Sequence, residues 1–280
     1  MSAENTYKAS STTHTFSPTG AFSAALWAEI LKAGRSKVPW LTALGFSLAP
    51  LVDGLFMVIL KDPERARSMG LISAKAQITA GSADWPTFLN VLAQAMAIAG
   101  LMIFSIITAW VFGREFSDRT VKNLLAIPTP REAIVAAKFV LIAIWAAVLT
   151  LLAAGIGLAV GALVGLPGGS SEVLKEGMAV LFTTAGLTLA LMAPVALFAS
   201  AGRGYLLPIG WSFLTVALAQ IAAATGWGDW FAWSVPALFS GMAGPRSDLL
   251  GVHSYLIVFL TIVAGLVGTL AWWRYADQTR

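Results

Sequence analysis

The chain alternates long apolar segments with short polar ones. Six of the apolar segments reach the length of about 20 residues that an α-helix needs to cross the hydrocarbon core of a bilayer. These segments lie at residues 39–60, 88–112, 133–166, 177–201, 205–224 and 252–273. The pattern predicts an all-α integral membrane protein with six transmembrane helices, which form a single domain over residues 21–280.

The part of the chain before the first predicted span divides into two regions. Residues 1–20 are polar and rich in Ser and Thr, which predicts a disordered cytoplasmic tail. In residues 21–34 the apolar side chains Phe22, Leu26 and Ile30 recur every four positions, while charged residues occupy other faces. This spacing predicts an amphipathic helix that lies along the inner membrane surface without crossing it.

A charged, turn-rich segment, residues 113–132, separates the second apolar segment from the third. Within it Val121, Leu124 and Leu125 have the spacing of an apolar stripe on a short helix, and Pro128 would end that helix. We predict a docking helix in this loop, because its charges of both signs can contact a partner as well as lipid headgroups. The simpler interpretation is a charged anchor that only fixes the orientation of the chain.

The third apolar segment follows the sequence Thr129-Pro130-Arg131-Glu132. This is the spacing of a capping box, with Thr129 as the N-cap, Pro130 at the first helical position and Glu132 at the third. We therefore expect the third span to begin here. Lys138, two turns further on, is expected to extend its ammonium group back to the cytoplasmic face.

An aromatic cluster precedes the last apolar segment. Trp227, Trp230, Phe231 and Trp233 lie close together in residues 226–251, which are too short and too broken by turn residues to cross a membrane. Aromatic side chains at this density favour the headgroup region. We predict a re-entrant hairpin on the outer side before span 6, and the alternative is an ordinary aromatic belt followed by a disordered loop.

Two polar residues lie inside predicted spans and are candidate substrate-path residues. Inserting a carboxylate such as that of Asp53 into a bilayer costs roughly 2.5 to 3.5 kcal/mol, so Asp53 should face the bundle interior or a water-filled cavity. The alternative for Asp53 is a position near the outer interface. Gln220 is uncharged, and a hydrogen bond between helices explains it as well as contact with a substrate does.

Composition and charge support a membrane protein and weigh against other classes. Hydrophobic residues make up 58% of the chain and charged residues only 11%, which is far from the usage of soluble domains. The net charge of +4 is modest and spread over short loops, so it fits contact with anionic membrane lipid better than binding of nucleic acid. The chain has no Cys, which excludes disulfides and thiolate chemistry.

The distribution of basic residues predicts the orientation. Lys and Arg are more numerous beside the span ends that border residues 113–132 than beside the opposite span ends. Loops rich in Lys and Arg remain on the cytoplasmic side of a membrane. We therefore expect both termini and residues 113–132 to be cytoplasmic, and the cell membrane of a bacterium to be the location.

The sequence offers no set of residues for catalysis. It lacks the GxxxxGK[ST] loop that cradles the phosphates of ATP. Its only histidines are His14 and His253, so no His-carboxylate metal cluster or Ser–His pair can be assembled from neighbouring positions. We expect no catalytic residue, no metal site and no cofactor in this chain.

Residues 112–139, FGREFSDRTVKNLLAIPTPREAIVAAKF, resemble the segment after the second span in permease subunits of type-2 ABC (ATP-binding-cassette) exporters. The matching positions are Phe112, Glu115, Thr120, Leu124, Leu125, Pro128 and Arg131. The sequence WAEILK at residues 27–32 also resembles the acidic-then-basic amphipathic helix of that family. One position departs from the family pattern, because Arg119 stands where the family usually has a Gly before the Thr.

The resemblance implies a permease that moves an amphipathic, lipid-like, peptide or drug substrate by alternating access. ATP and magnesium would be held by a separate ATPase subunit, and a second permease copy would complete a homodimer or a related heterodimer. The loop would then contain a coupling helix that contacts the ATPase. The implied coupling residues are Arg114, Glu115, Arg119, Thr120, Val121, Lys122, Leu124, Leu125, Pro128 and Arg131.

Two other classes of protein remain open. An ion-coupled secondary transporter could use Asp53, but such a carrier usually has several ionisable residues within the membrane or two related halves. A hydrolase within the membrane is less well supported, because it would need a nucleophile and a base at the same depth.

Overall fold

The computed structural model describes residues 18–62, 81–121, 129–242 and 250–275. Within these ranges the chain is helical, with no β-strand. Six helical segments are long and apolar enough to cross a membrane, which confirms the predicted number. Spans 1 to 6 are Val38–Lys61, Trp85–Ser117, Arg131–Val164, Ser171–Ala201, Leu206–Ala224 and Val252–Tyr275.

The spans form a bundle with two ends that are built differently. We call the end that includes Ser117 and Arg131 the loop end, because it borders residues 113–132. The opposite end, which we call the far end, holds Lys61, Trp85 and Val164. There the Lys61 ammonium donates to the Val164 and Gly165 carbonyls. The backbone N–H of Trp85 donates to the Pro167 carbonyl at 3.0 Å.

The N-terminal helix covers Pro18–Gly34 and packs against span 3. It begins before the predicted start at residue 21, because proline is well suited to the first turn of a helix. Ala21, Glu29 and Ala33 are buried on one side of it. The predicted tail, as far as residue 17, lies outside the described residues, and the position of this helix on a membrane surface stays a prediction.

Span 1 has one buried face and one apolar exposed face. Its remaining surface carries exposed side chains such as Trp40, Leu44 and Leu55, as expected for contact with lipid or with another membrane subunit. The buried face packs against span 3 and span 2. Its residues are Thr42, Phe46, Pro50, Asp53, Gly54, Met57 and Leu60.

Two hydrophobic clusters fill the interior of the described bundle. The larger one runs from the loop end to the middle of the bundle. The smaller one lies at the far end, where Trp85 fits closely against span 3: a methyl group added to Gly161 would lie 2.5 Å from its ring. The smaller cluster consists of Met57, Leu60, Trp85, Phe88, Leu89 and Leu166.

Spans 2 and 4 are irregular near the middle of the bundle. Span 2 contains a π-helical turn at Met96–Gly100. Span 4 is interrupted at Leu191, between Ser171–Ala190 and Met192–Ala201. Pro194 explains the interruption, because it lacks an N–H and its ring collides with the carbonyl four residues earlier. The predicted kink therefore occurs just before the proline.

The aromatic segment before span 6 folds into short pieces. Two 3₁₀ turns, Gly228–Trp230 and Ala232–Ser234, lead into a short helix at Val235–Phe239. This short helix packs against span 4 and against the π-helical turn of span 2. Residues 243–249 lie outside the described residues, and the depth of the segment in a membrane stays a prediction.

The start of span 3 differs from the predicted capping box. The N-cap is Pro130, not Thr129, and no side chain caps the helix. Pro130 has a ψ angle of 135°, outside the helical region, so it cannot be the first helical residue. Its carbonyl instead accepts from the N–H groups of Ala133 and Ile134, and the helix begins at Arg131.

Candidate functional site

Four charged side chains from three helices meet at the loop end. Lys138 of span 3 lies 2.8 Å from Glu115 of span 2 and 3.3 Å from Glu29 of the N-terminal helix. Lys32, also on the N-terminal helix, lies 2.9 Å from Glu115 and 2.7 Å from Glu29. We call Glu29, Lys32, Glu115 and Lys138 the buried charge network.

Lys138 is the centre of this network. Its ammonium group donates to the Glu115 carboxylate and, at 2.7 Å, to the Val111 carbonyl, and Glu29 provides a third oxygen. The ring of Phe112 lies 5.8 Å from the same nitrogen. Because a lysine ammonium has three N–H donors, these oxygens can satisfy all of them. The interaction therefore joins span 3 to the last turns of span 2.

The network is shielded from solvent. Glu29 is 4% exposed, Glu115 is 3% exposed and Lys138 is fully buried. Two acidic and two basic groups balance in charge, which is the condition for holding ions away from water. Removing one partner from a buried ion pair typically costs 3–5 kcal/mol, because the other charge is left without compensation. The three helices are therefore held together by contacts that are costly to break singly.

Lys32 lies at the edge of the network, with 32% of its side chain exposed. Burial alone would lower the pKa of Lys32, but the Glu115 and Glu29 carboxylates raise it above its ordinary value. A lysine with a raised pKa stabilises the folded state fully below its unfolded pKa, and this contribution is lost only as pH rises through the folded pKa. Lys32 is therefore charged at neutral pH.

Glu115 uses its two oxygens unequally. Its Oε1 atom accepts from both Lys32 and Lys138. Its Oε2 atom is buried and has no hydrogen-bond partner in the part of the chain that the structure describes. One carboxylate oxygen thus joins two lysines on different helices, which makes Glu115 the link between the N-terminal helix and span 3.

The predicted coupling residues fall into groups with different surroundings. Glu115 faces inward and binds within the chain. Arg114 extends along the surface, where it pairs with Asp118 at 3.3 Å and lies 5.0 Å from the Trp110 ring. The Arg131 guanidinium donates to the Trp273 carbonyl at 3.0 Å, so it ties the start of span 3 to the end of span 6.

The remaining coupling residues lie where span 2 ends. Arg119 and Thr120 are exposed, whereas Val121 is buried. Lys122, Leu124, Leu125 and Pro128 lie outside the described residues. The predicted coupling helix is therefore not described by the structure, and contact of these residues with an ATPase stays a prediction.

The turn after span 2 places Arg119 in a backbone conformation that favours glycine. Its φ angle is 56°, in the left-handed region. The N–H of Thr120 donates to the Glu115 carbonyl and the N–H of Arg119 to the Phe116 carbonyl, which is the Schellman pattern of a helix end. This is the position where type-2 exporter permeases usually have a Gly.

The buried charge network is not evident from the sequence. The sequence predicts Glu29 and Lys32 on a surface helix and a Lys138 side chain that reaches the cytoplasmic face, whereas Lys138 is buried against Glu115. A usable signal was present, because a lysine two turns inside an apolar helix needs either a path to water or a counter-ion. What the sequence lacked was the packing of the N-terminal helix across spans 2 and 3.

The two candidate substrate-path residues lie in different places. Asp53 is on the buried face of span 1, and its Oδ2 atom has no hydrogen-bond partner among the described residues. Gln220 is exposed on span 5 and lines a cavity of about 250 Å³ between that span and the short helix. Within the described ranges, no three His, Asp or Glu side chains meet as a metal site.

Comparison with known proteins decides the family. The sequence model described as "ABC-2 family transporter protein" matches residues 25–219, which include part of the N-terminal helix, the buried charge network, spans 1 to 4 and most of span 5. The chain belongs to the ABC-2 transporter family. The resemblance seen in the sequence is thus confirmed, and the chain is an ABC-2 type permease and a multi-pass membrane protein.

A curated relative agrees with this family. The bacitracin transport permease protein BCRB of Bacillus licheniformis is 29% identical over 192 residues, which cover 68% of this chain and 91% of that protein. No solved structure matches the chain. Membership of the ABC-2 family implies an ABC ATPase partner in general, and it is consistent with a transport subunit that is not itself an enzyme.

Proposed function

We propose that this ABC-2 permease is the membrane subunit of an ATP-driven exporter in the cell membrane. A separate ABC ATPase, which holds ATP and magnesium, binds the loop at residues 113–132 from the cytoplasmic side. The observation that carries this proposal is the buried charge network. It lies at the end of the bundle where an ATPase would bind, and it joins three helices that would have to move together.

The network suits the transmission of a push from the loop. A force on residues 113–132 acts directly on the ends of spans 2 and 3, since the loop connects them. Glu115 and Lys138 link these two spans, and Glu29 and Lys32 add the N-terminal helix. Because separating one charge from the others is costly in a buried site, the three helices move as one body.

Movement at the loop end can reach the middle of the membrane through irregular helices. The π-helical turn Met96–Gly100 and the interruption at Leu191 lie in neighbouring spans that contact each other. Such irregularities concentrate bending at defined positions. In the proposed cycle of alternating access, spans 2 and 4 bend there while two permease copies open and close a shared path.

The outer segment has a place in this cycle. Contact between the short helix Val235–Phe239 and the π-helical turn supports a re-entrant hairpin, since that turn lies 11 residues inside span 2. The N-terminal helix would lie on the inner membrane surface in contact with lipid headgroups, and both termini would be cytoplasmic. The hairpin would then close the path toward the outside.

The cargo that best fits the chain is amphipathic. The spans carry exposed apolar faces, and the cavity beside Gln220 is lined mainly by apolar side chains, half of its lining residues being Ala, with Gln220 and Ser234 as its polar groups. Such surfaces favour lipid-like, peptide or drug molecules over small ions.

One observation favours a second candidate function. Asp53 is buried without a hydrogen-bond partner for Oδ2 in the described chain, as a coupling residue of an ion-driven carrier would be. The two functions differ in their need for a second protein. Purified permease that transports along an ion gradient without any ATPase would support the carrier.

The proposed function is tested at Leu124, which the sequence predicts on the apolar stripe of the coupling helix. Leu124→Asp places a charge in that contact and is expected to abolish copurification of the ABC ATPase that accompanies the parent chain, since a desolvated charge costs several kcal/mol. Leu124→Met is the matched control and should keep the ATPase. Insertion of both variants is checked by their abundance in membranes. If Leu124→Asp inserts and retains the ATPase, the loop is only a topological anchor.

A further inference from the structure

Asp53 is the buried acidic group that the coupling mechanism does not use. It is 8% exposed and lies 8 residues before the end of span 1, roughly 12 Å inside the helix at 1.5 Å per residue. It shares the buried face of the span with Pro50 and Met57. It therefore faces the interior of the bundle and not the outer interface.

No cation among the described residues compensates Asp53. Span 1 packs against the N-terminal helix and spans 2 and 3. The charged groups of these elements lie toward their ends: Glu29, Lys32, Arg114, Glu115, Arg131, Glu132 and Lys138 at the loop end, and Asp84 just before span 2. On span 1 itself, Lys61 is two turns away and donates to carbonyls of span 3.

The position of Asp53 also coincides with a seam between the two hydrophobic clusters. On span 1, Phe46 belongs to the larger cluster and Met57 to the smaller one, so Asp53 falls between them. The same boundary lies between Leu92 and Leu89 on span 2. Met178 packs against both clusters, but the buried residues of each cluster are different, so a ligand beside Asp53 would separate fewer contacts than one within either cluster.

We propose that Asp53 binds the ammonium group of an amphipathic cargo at this seam, with the apolar part of the cargo between the two clusters. This inference rests on the proposed export function and names the chemical class of its cargo. A carboxylate without a counter-ion is unfavourable in an apolar interior. An ammonium group beside the Oδ2 atom of Asp53 would supply both that counter-ion and a hydrogen-bond donor.

The chemistry predicts one measurable preference. A cargo with an ammonium group should bind more tightly than the same molecule with that charge removed, by at least about tenfold for a charge-assisted hydrogen bond. A side chain that served only as a neutral hydrogen-bonding group would show no such preference.

The experiment uses the full-length permease in phosphatidylcholine nanodiscs without the ATPase. The probes are a dansyl-labelled twelve-carbon primary amine and its N-acetylated form, and binding is followed by energy transfer from the tryptophans after subtraction of empty nanodiscs. Asp53→Asn keeps the shape of the neutral carboxyl, Asp53→Glu keeps the acid, and Asp229→Asn removes an acid at the far end.

The parent chain, Asp53→Glu and Asp229→Asn are expected to prefer the amine, whereas Asp53→Asn should bind both probes alike. Equal binding of both probes by the parent, or an unchanged preference in Asp53→Asn, would overturn the inference. Copurification of the ATPase is measured in parallel. Its retention by Asp53→Asn separates failure of this site from failure of the export function.

Discussion

The two ends of the bundle are held together by different kinds of contact. At the loop end, the buried charge network joins three helices through Lys138 and Glu115. At the far end, Trp85 packs against Gly161, and backbone carbonyls take hydrogen bonds from Lys61. Ion pairs are directional and fail when a partner is removed, whereas close packing depends on shape. The loop end is therefore the end that is more sensitive to the loss of a single charged side chain.

The helix ends repeat this difference. At the far end, Gly165 and Gly226 hold the left-handed conformation after spans 3 and 5. At the loop end, Arg119 and Arg203 hold it after spans 2 and 4. A left-handed non-glycine residue costs roughly 1–2 kcal/mol. The loop end thus combines a buried charge network with strained backbone at Arg119 and Arg203. At the far end the corresponding residues, Gly165 and Gly226, adopt the left-handed conformation without strain.

The largest effect is expected from Lys138→Met. This change keeps an unbranched side chain only one atom shorter but leaves Glu115 and Glu29 buried with only Lys32, at a cost of about 3–5 kcal/mol in the free energy of unfolding. The measurement is denaturation of purified protein in mixed micelles, followed by tryptophan fluorescence. Lys175→Met, an exposed change at the far end, should remain within about 0.5 kcal/mol of the parent. Equal losses in the two variants would remove the distinction between the ends.

A smaller effect is expected from Gly161→Ala at the far end. The added methyl group would lie 2.5 Å from the Trp85 ring, so the ring or span 3 must shift at a cost of about 1–3 kcal/mol. Gly155→Ala is the matched control on the same helix, because nothing lies within 4 Å of its methyl group. That control should be neutral or stabilising by up to about 1 kcal/mol. The same denaturation experiment measures the free energy of unfolding of both variants. Equal changes in Gly161→Ala and Gly155→Ala would contradict the close packing of Trp85 against span 3.

The smallest effect is a gain in stability from Arg119→Gly. Glycine removes the left-handed strain of roughly 1–2 kcal/mol but adds freedom to the unfolded chain worth roughly 0.5–1 kcal/mol, so a net gain of up to about 1 kcal/mol is expected. Arg119→Ala loses the same side chain and keeps the strain. Unfolding of the three proteins is compared, and a gain in Arg119→Ala as large as in Arg119→Gly would assign the effect to the side chain instead.

Much of the fold could be predicted from the sequence because bilayer thickness determines the length of an apolar helix. The six spans were predicted this way, and the N-terminal helix was predicted from the spacing of its apolar side chains, with ends displaced by up to six residues. The start of span 3 was wrong by one residue, since the extended backbone of Pro130 overrides the Thr129 capping pattern. Side-chain patterns predict where a helix lies, but they do not predict the backbone angles of Pro130, which set the residue at which span 3 begins.

The site was less predictable because it depends on packing between segments distant in the sequence. Glu29 and Lys138 are more than a hundred residues apart, and no periodicity indicates that their helices meet. Asp53 illustrates the same limit, since the sequence allowed both an interior and an interfacial position. The structure places it on the buried face of span 1.

The most direct test of a coupling role for the buried charge network is Glu115→Gln in the complex with the ABC ATPase. This change removes the charge that links the two lysines while keeping the shape of the side chain, and it leaves the predicted apolar contact of the loop intact. Glu172→Gln, an exposed change at the far end, is the control. The measurements are copurification of the ATPase and the part of its ATP hydrolysis that depends on the permease. We predict that Glu115→Gln binds the ATPase but loses the permease-dependent hydrolysis, whereas hydrolysis equal to that of the parent and of Glu172→Gln would contradict a coupling role for the buried charge network.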